Sequence, residues 1–256
     1  MIRFYLALIS LMMLDHVNAE CSTLGISGYD SWYPYSVFAD DKYTGLIPEV
    51  IYKVSVELDF DVKVIPARPW KRQLKDLEFG KLDALVGVYY TQERAEKFLY
   101  SYPIVQDSVH IFVLASNRFR FHTWEDLRDK IGAMPLEAGV SSSHEFDEYA
   151  SKNLNIISAN DTQQMINMLV AGRVDYMVST YADGLHLAQQ KGLTGKVVPL
   201  NPPINVNNVY LAFSNKSPCS QIINRFNETY LDLVEQGKLG DIYSEFNSKL
   251  PMHLFN

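Results

Sequence analysis

An arginine placed just past a buried strand, in the first turn of the following helix, is well set to hold an anion. Arg94 has that setting. Leu82-Asp83-Ala84-Leu85-Val86-Gly87-Val88 is an apolar run of strand length, short and continuous like strands buried on both faces of a parallel sheet. Thr91 then offers a helix N-cap, with Glu93 and Glu96 suited to the positive helix end. In open α/β sheets ligands bind beyond the carboxyl ends of the strands, and a guanidinium forks a carboxylate better than any other side chain. On spacing alone, a surface arginine paired with Glu93 or Asp107 accounts for the same residues at least as well.

Two further stretches carry chemistry-bearing side chains. Tyr29-Asp30-Ser31-Trp32-Tyr33-Pro34-Tyr35 packs four aromatics into seven residues beside a proline, more than a plain turn needs. Gly139-Val140-Ser141-Ser142-Ser143 is a small, hydroxyl-rich segment, and a helix starting there would present free N–H groups to an anion; an ordinary serine cap is the competing reading. Catalysis has weaker support. The histidines at 110, 122, 144, 186 and 253 have no metal-ligand spacing, and Ser141–His144 lacks a G-x-S-x-G elbow. No enzyme activity and no cofactor are expected.

Residues 1–19 read as a secretory signal peptide. Arg3 precedes the 11-residue apolar run Phe4–Leu14, and Val17-Asn18-Ala19 offers a cleavage site. The run is too short for a bilayer, which needs about 20 residues. Cys21 raises a lipoprotein reading, but Glu20 stands where a small residue is wanted. The formal net charge is −7, and with no clustered basic stripe nucleic-acid binding is set aside.

Gly80-Lys81, Asp83, Thr91, Arg94, Phe98, Ser101 and Tyr102-Pro103 together resemble the signature of the family 3, type II periplasmic solute-binding proteins, and the similarity runs along nearly the whole mature chain. The resemblance implies an α/β, two-lobed periplasmic-binding-protein type II fold, each lobe a small doubly wound sheet, joined by two hinge crossovers. Residues 20–108 plus 207–256 would form lobe 1 and 109–206 lobe 2. It implies that Arg94 grips a ligand carboxylate with help from Ser141 and Ser142, and that Trp32 stacks on the ligand while Tyr35 packs behind it. Trp70 would stand at the cleft mouth, with Gly87 and Tyr89 at the strand end.

Thr180 departs from the pattern, since amino-acid binders commonly carry Asp there to pair an α-ammonium. Asp183, one turn later, is the candidate substitute. The roles of Arg68 and Arg72 stay open between an anionic ligand group and a solvated helix start. The implied function is capture of a small carboxylate-bearing solute, an amino acid or related compound, by a periplasmic monomer. An ABC permease or a membrane receptor would read the closed form. Two cysteines in an exported chain favour a Cys21–Cys219 disulfide, and the resemblance puts both in lobe 1.

The remaining periodicities give the frame. Strands are expected at Leu24–Gly28, Phe60–Pro66, His110–Ala115, Ile131–Met134, Tyr176–Ser179, Gly192–Leu200 and Val209–Phe213. Helices are expected at Val50–Leu58, from Trp70 to the Gly80 turn, from Thr123, over Asp161–Ala171, at Ile222–Gly237 and at Leu239–Phe246. Ile104–Ser108 and Asn201–Asn208 are the expected crossovers. Gly172-Arg173-Val174-Asp175 repeats the Gly80–Asp83 turn.

Overall fold

A computed structural model describes residues 21–135 and 144–249. The signal-peptide reading, Ser141 and Ser142 lie outside those residues. In chain order the first part holds β1 (Thr23–Gly28), β2 (Ser31–Trp32), β3 (Ser36–Ala39), β4 (Lys42–Thr44), α1 (Leu46–Leu58), β5 (Asp61–Val64), α2 (Trp70–Glu78), β6 (Ala84–Tyr89), the single turn α3 (Gln92–Ala95) and β7 (Phe98–Tyr100). The long strand β8 (Val105–Leu114) leads to β9 (Ile131–Pro135), α4 (His144–Asn153), β10 (Asn155–Ala159), α5 (Thr162–Val170), β11 (Tyr176–Thr180), α6 (Tyr181–Gln190) and β12 (Val197–Pro199). A second long strand, β13 (Asn205–Ser214), returns to α7 (Ile223–Glu235) and α8 (Gly240–Lys249).

The strands follow the order β10-β9-β11-β8-β13-β6-β1-β5, with β12 on β8 and β7 on β13, and β2-β3-β4 form a small separate sheet. The pairs β1–β5, β1–β6, β9–β10 and β9–β11 are parallel, whereas β13 runs antiparallel to β6 and β8. The fold is thus the expected two-lobed type II arrangement of mixed α/β layers. Both expected crossovers are formed largely by strand. Val105–Val109 of β8 pairs with Asn205–Val209 of β13 before each strand enters a different half of the sheet. Pairing satisfies the backbone groups that a loose connection would leave to water.

Burial follows from the sheet being covered on both faces. In β6, Ala84 and Val86 pack into the core around Leu24, Ile26, Val50 and Phe226, and Leu85 packs on the opposite side with Leu77 and Trp70. Strict alternation would return Val88 to the first side, but Val88 lies with Leu85. The pairing register jumps at Gly87, where Val86 and Val88 face the adjacent residues Leu211 and Tyr210. Gly87 has a φ of 77°, in the left-handed region that favours glycine, so it forms a bulge that reverses the pleat and brings Tyr89 to the side of Trp32. In the second half β8 alternates likewise, Ile111 facing Val178 and Tyr176 and Phe112 facing Met177, Met165 and Leu169. Met165 of α5 is part of this core.

Cys21 and Cys219 are disulfide-bonded across 198 positions of sequence. The bond joins Cys21, two residues before β1, to the short 3-10 helix that leads into α7. Among the described residues no helix is long and apolar enough to cross a membrane.

Candidate functional site

The parallel strands of both halves end at one place. The chain just past β1, the end of β6, the end of β9 and the end of β11 all border a cavity of about 740 Å³. Tyr29, Asp30, Trp32, Tyr33, Trp70, Gly87 and Tyr89 line it from one side, and Pro135, Asn160, Asp161, Thr162, Thr180, Asp183 and His186 from the other. A cavity outside the carboxyl ends of strands is where such sheets bind ligands.

The first-half wall is aromatic because the Gly87 bulge makes room for it. A Cβ at Gly87 would stand 2.7 Å from Trp32 Cζ3, so the indole packs directly on the strand backbone. Trp32 is also tilted against Tyr35 at 4.9 Å between ring centres and meets Tyr89 edge-on at 5.8 Å. Trp70, the first residue of α2, is buried against Tyr29 at 5.3 Å. Tyr33 stacks on His186 of α6 at 3.6 Å, a contact made from one half of the molecule to the other. Burial lowers the imidazole pKa of His186, which favours the neutral ring.

Tyr89 lines the cavity with its ring, but its hydroxyl turns away and donates to Asp107 Oδ2 at 2.5 Å. Tyr35 donates to Asp107 Oδ1 at 2.9 Å. Asp107 lies in the crossover half of β8, and burial pushes its carboxyl up to about 7, with both tyrosine hydrogen bonds pulling the other way and Asp183 adding to the rise. Both phenols are driven well above their ordinary range, chiefly by burial and then by Asp107. This trio locks the base of the cleft to the crossover, and nothing in the sequence reading singled out Asp107 for it. Its signal was a lone carboxylate in a strand-like alternation, Val105-Gln106-Asp107-Ser108-Val109.

Thr91 caps α3 as expected, accepting from Arg94 N–H at 3.2 Å. Arg94 is half-buried, and its Nη1 donates to the carbonyl of Tyr89 at 3.1 Å. Burial lowers its pKa, while Tyr100, Glu93 and Asp147 of α4 oppose that. The guanidinium therefore sits behind the strand end; Arg94 is not one of the residues that line the cavity.

Thr180 is buried and caps α6 by accepting from Asp183 N–H at 3.4 Å. Asp183 does reach the cavity. Its Oδ2 accepts from Thr162 at 2.6 Å, and burial pushes its carboxyl up to about 6, Thr162 lowering it and Asp161 raising it. The residue is half-buried and lines the cavity. Arg68 and Arg72 both pair with the buried Asp76, at 3.4 and 3.2 Å. His110 is a satisfied core histidine between Leu200 O and Ser108 Oγ. No group of three or more His, Cys, Asp or Glu side chains suited to a metal occurs among the described residues.

Two halves of α/β sheet, joined by paired crossover strands around a lined cleft, define a clamp-type solute-binding protein. Residues 24–249 match the family described as bacterial extracellular solute-binding proteins, family 3, and the chain belongs to it. It is 24% identical over 149 residues to a probable amino-acid ABC transporter periplasmic-binding protein, y4tE, of Sinorhizobium fredii, covering 57% of this chain and 49% of that one. It thus spans about half the length of that relative. Cyclohexadienyl dehydratase of Pseudomonas aeruginosa is 21% identical over 231 residues, 88% of this chain and 82% of that one. Among solved structures, a histidine kinase sensor domain with similarity to periplasmic binding proteins superposes with a TM-score of 0.77 at 20% identity, covering 89% of this chain and 97% of that one.

Proposed function

We propose that this chain is a periplasmic binding protein that closes around one small solute, an amino acid or related compound bearing a carboxylate, and presents the closed form to a membrane partner. The observation that carries this reading is the cavity lined from both halves at the strand ends. Residues 20–108 with 207–256 and residues 109–206 would act as two lobes turning about the paired strands β8 and β13. Trp32, Trp70, Gly87 and Tyr89 form the first-lobe wall, and Thr180 and Asp183 face them from the second lobe. Arg94 with Ser141 and Ser142 takes the carboxylate, with Arg94 swinging from the Tyr89 carbonyl to the ligand. Binding shifts the open–closed equilibrium because a closed cleft contacts the solute from both sides.

An ABC permease is the partner we favour, in keeping with the named function of the y4tE relative. The likeness to a kinase sensor domain supports a second reading, in which a membrane receptor reads the closed form. We take the protein as a binder rather than a catalyst. Asp183 in the cleft and Asp107 behind it are each held by hydroxyl donors of the protein itself.

A thermal-shift screen of amino acids, aromatic acids and dicarboxylic acids, followed by calorimetry on each hit, tests this. At least one compound is expected to raise the melting temperature and to shrink the radius of gyration in solution scattering. Arg94→Ala should weaken a carboxylate ligand about tenfold to a hundredfold, the loss of one or two charge-assisted hydrogen bonds. Unchanged affinity would remove Arg94 from the site, and turnover of the bound compound would overturn the binder assignment.

A further inference from the structure

One pair of cavity-lining rings joins the two walls to each other. Tyr33 of the first half and His186 of the second lie 3.6 Å apart between ring centres and 18° from parallel. Both are half-buried. Burial favours the neutral imidazole, so the stack forms without enclosing a charge.

Each ring is carried on a fixed support. Tyr33 lies in the turn between β2 and β3, closed by Tyr35 N–H donating to the Trp32 carbonyl at 2.8 Å. The start of α1 holds the same turn, Leu46 N–H donating to the Pro34 carbonyl and Ile47 N–H to the Tyr35 carbonyl, both at 3.1 Å. His186 is carried by α6, which lies so close to β8 that a Cβ at Gly184 would stand 2.4 Å from Phe112 Cζ. Parting the two supports therefore means turning one half of the molecule against the other.

The path of α6 gives His186 leverage over that turn. The helix begins beside the crossover, where Thr180 pairs with Val109 and Val109 with Asn205. Ala182 is buried in the cluster that holds Trp32, Tyr35 and Tyr89, and His186, four residues on, shares its helix face. His186 stands about 9 Å along the helix from Thr180. A given rotation about the crossover displaces it further than Ala182.

We propose that the Tyr33–His186 stack is a latch across the cleft, a contact of protein with protein that favours the closed arrangement and lowers the work a solute must do to reach it. The latch rests on the closing motion of the binding reading above and assigns part of its free energy to the chain itself.

The test needs no solute. In solution scattering of the ligand-free chain, Tyr33→Ala and His186→Ala should each raise the radius of gyration, the ratio of closed to open chains falling about threefold to tenfold for the loss of one ring pair. The double variant Tyr33→Ala/His186→Ala should expand no further than either single one, because the rings act as a pair. His186→Phe keeps a ring against Tyr33 and should stay as compact as the wild type. The single variants lie on separate elements, so a folding defect in one leaves the other to decide. Wild-type dimensions in both single variants, additive expansion in the double, or expansion of His186→Phe to the alanine value would each overturn the latch. The binding reading fails on a different result, the absence of any solute that compacts the wild-type chain.

Discussion

The turns at Gly80–Asp83 and Gly172–Asp175 begin from the same local plan and end in different surroundings. Each follows a helix, α2 or α5, and each glycine takes a positive φ, 70° and 66°. In each, the aspartate Oδ2 accepts from the backbone of the neighbouring parallel strand at 2.7 Å, from Gly25 in one case and Ile131 in the other. The aspartate N–H returns a bond to the same residue's carbonyl, at 3.1 and 2.7 Å. Among the described residues, only the first turn is then tied to a third segment. Asp83 Oδ1 accepts from Ser217 at 2.5 Å, Ser217 Oγ accepts from Cys219 N–H at 2.9 Å, and Cys219 carries the disulfide. Asp175 is exposed. The chain leaves the first half and must come back to it, so its closing segment is pinned there, whereas the second half is one continuous insertion with no returning end to fasten.

The difference is largest at the disulfide. Closing a loop of nearly the whole chain is worth about 5 kcal/mol in the chain-entropy view, less any strain. The double variant Cys21→Ala/Cys219→Ala should therefore lose about 3–5 kcal/mol in urea unfolding, with hydrogen exchange rising first in β1 and α7. A loss below about 1 kcal/mol would mean that the Asp83–Ser217 link already holds the closing segment. Asp83→Ala should come next, at about 2–3 kcal/mol, because it leaves Gly25 N–H and Ser217 without their acceptor. Asp175→Ala should cost about 1 kcal/mol, since water replaces the carboxylate at an exposed site. Equal costs for the two aspartates would show that the third segment adds nothing.

A pH series separates the crossover from both turns. The Asp107 carboxyl titrates at about 7 in the folded chain, above the roughly 3.9 of an unfolded aspartate. The native state thus holds the proton more tightly, and stability contributed by this group is full below about pH 4 and lost as pH rises toward 7. Asp107→Asn should flatten the stability–pH curve in that window by on the order of 2 kcal/mol. A curve of unchanged slope would place the titration elsewhere, Asp183 being the first group to examine.

What the sequence made legible was local. The buried run of β6 and the Thr91 cap needed only a few neighbouring residues, and both stand as read. The aromatic density around Pro34 exceeded what a plain turn needs, the family resemblance gave Trp32 its stacking role, and Trp32 and Tyr33 line the cavity. The pairing of the two crossovers was not legible, because it joins residues about a hundred positions apart and Asn201–Asn208 has the composition of a turn. Asp107 was hidden for the same reason, since its partners Tyr35 and Tyr89 come from two other segments. Thr180 could be identified as the departure from the family pattern, but only the geometry shows it spent on capping α6, with Asp183 carried into the cavity one turn later.

The finest separation between the two turns lies in their glycines. Both have left-handed backbones, so alanine at either position takes on the Cβ strain of that region, about 1 kcal/mol. The surroundings then differ. A Cβ at Gly172 would meet nothing within 4 Å, whereas one at Gly80 would lie 3.2 Å from Lys216 Cβ and 3.4 Å from the Lys216 carbonyl. Lys216 belongs to the returning segment just before Ser217, so it can yield only by moving the residues that hold Asp83 and the disulfide. Gly172→Ala should therefore cost about 1 kcal/mol, the backbone share alone. Gly80→Ala should cost half as much again, roughly 1.5 kcal/mol in all, for a tight contact against a constrained neighbour. Paired chemical denaturation of the two variants, repeated in the Cys21→Ala/Cys219→Ala background, resolves the contrast. The excess at Gly80 should shrink once the disulfide is gone, because Lys216 can then shift. An excess that persists undiminished would place the rigidity in the Asp83–Ser217 hydrogen bond and not in the covalent link.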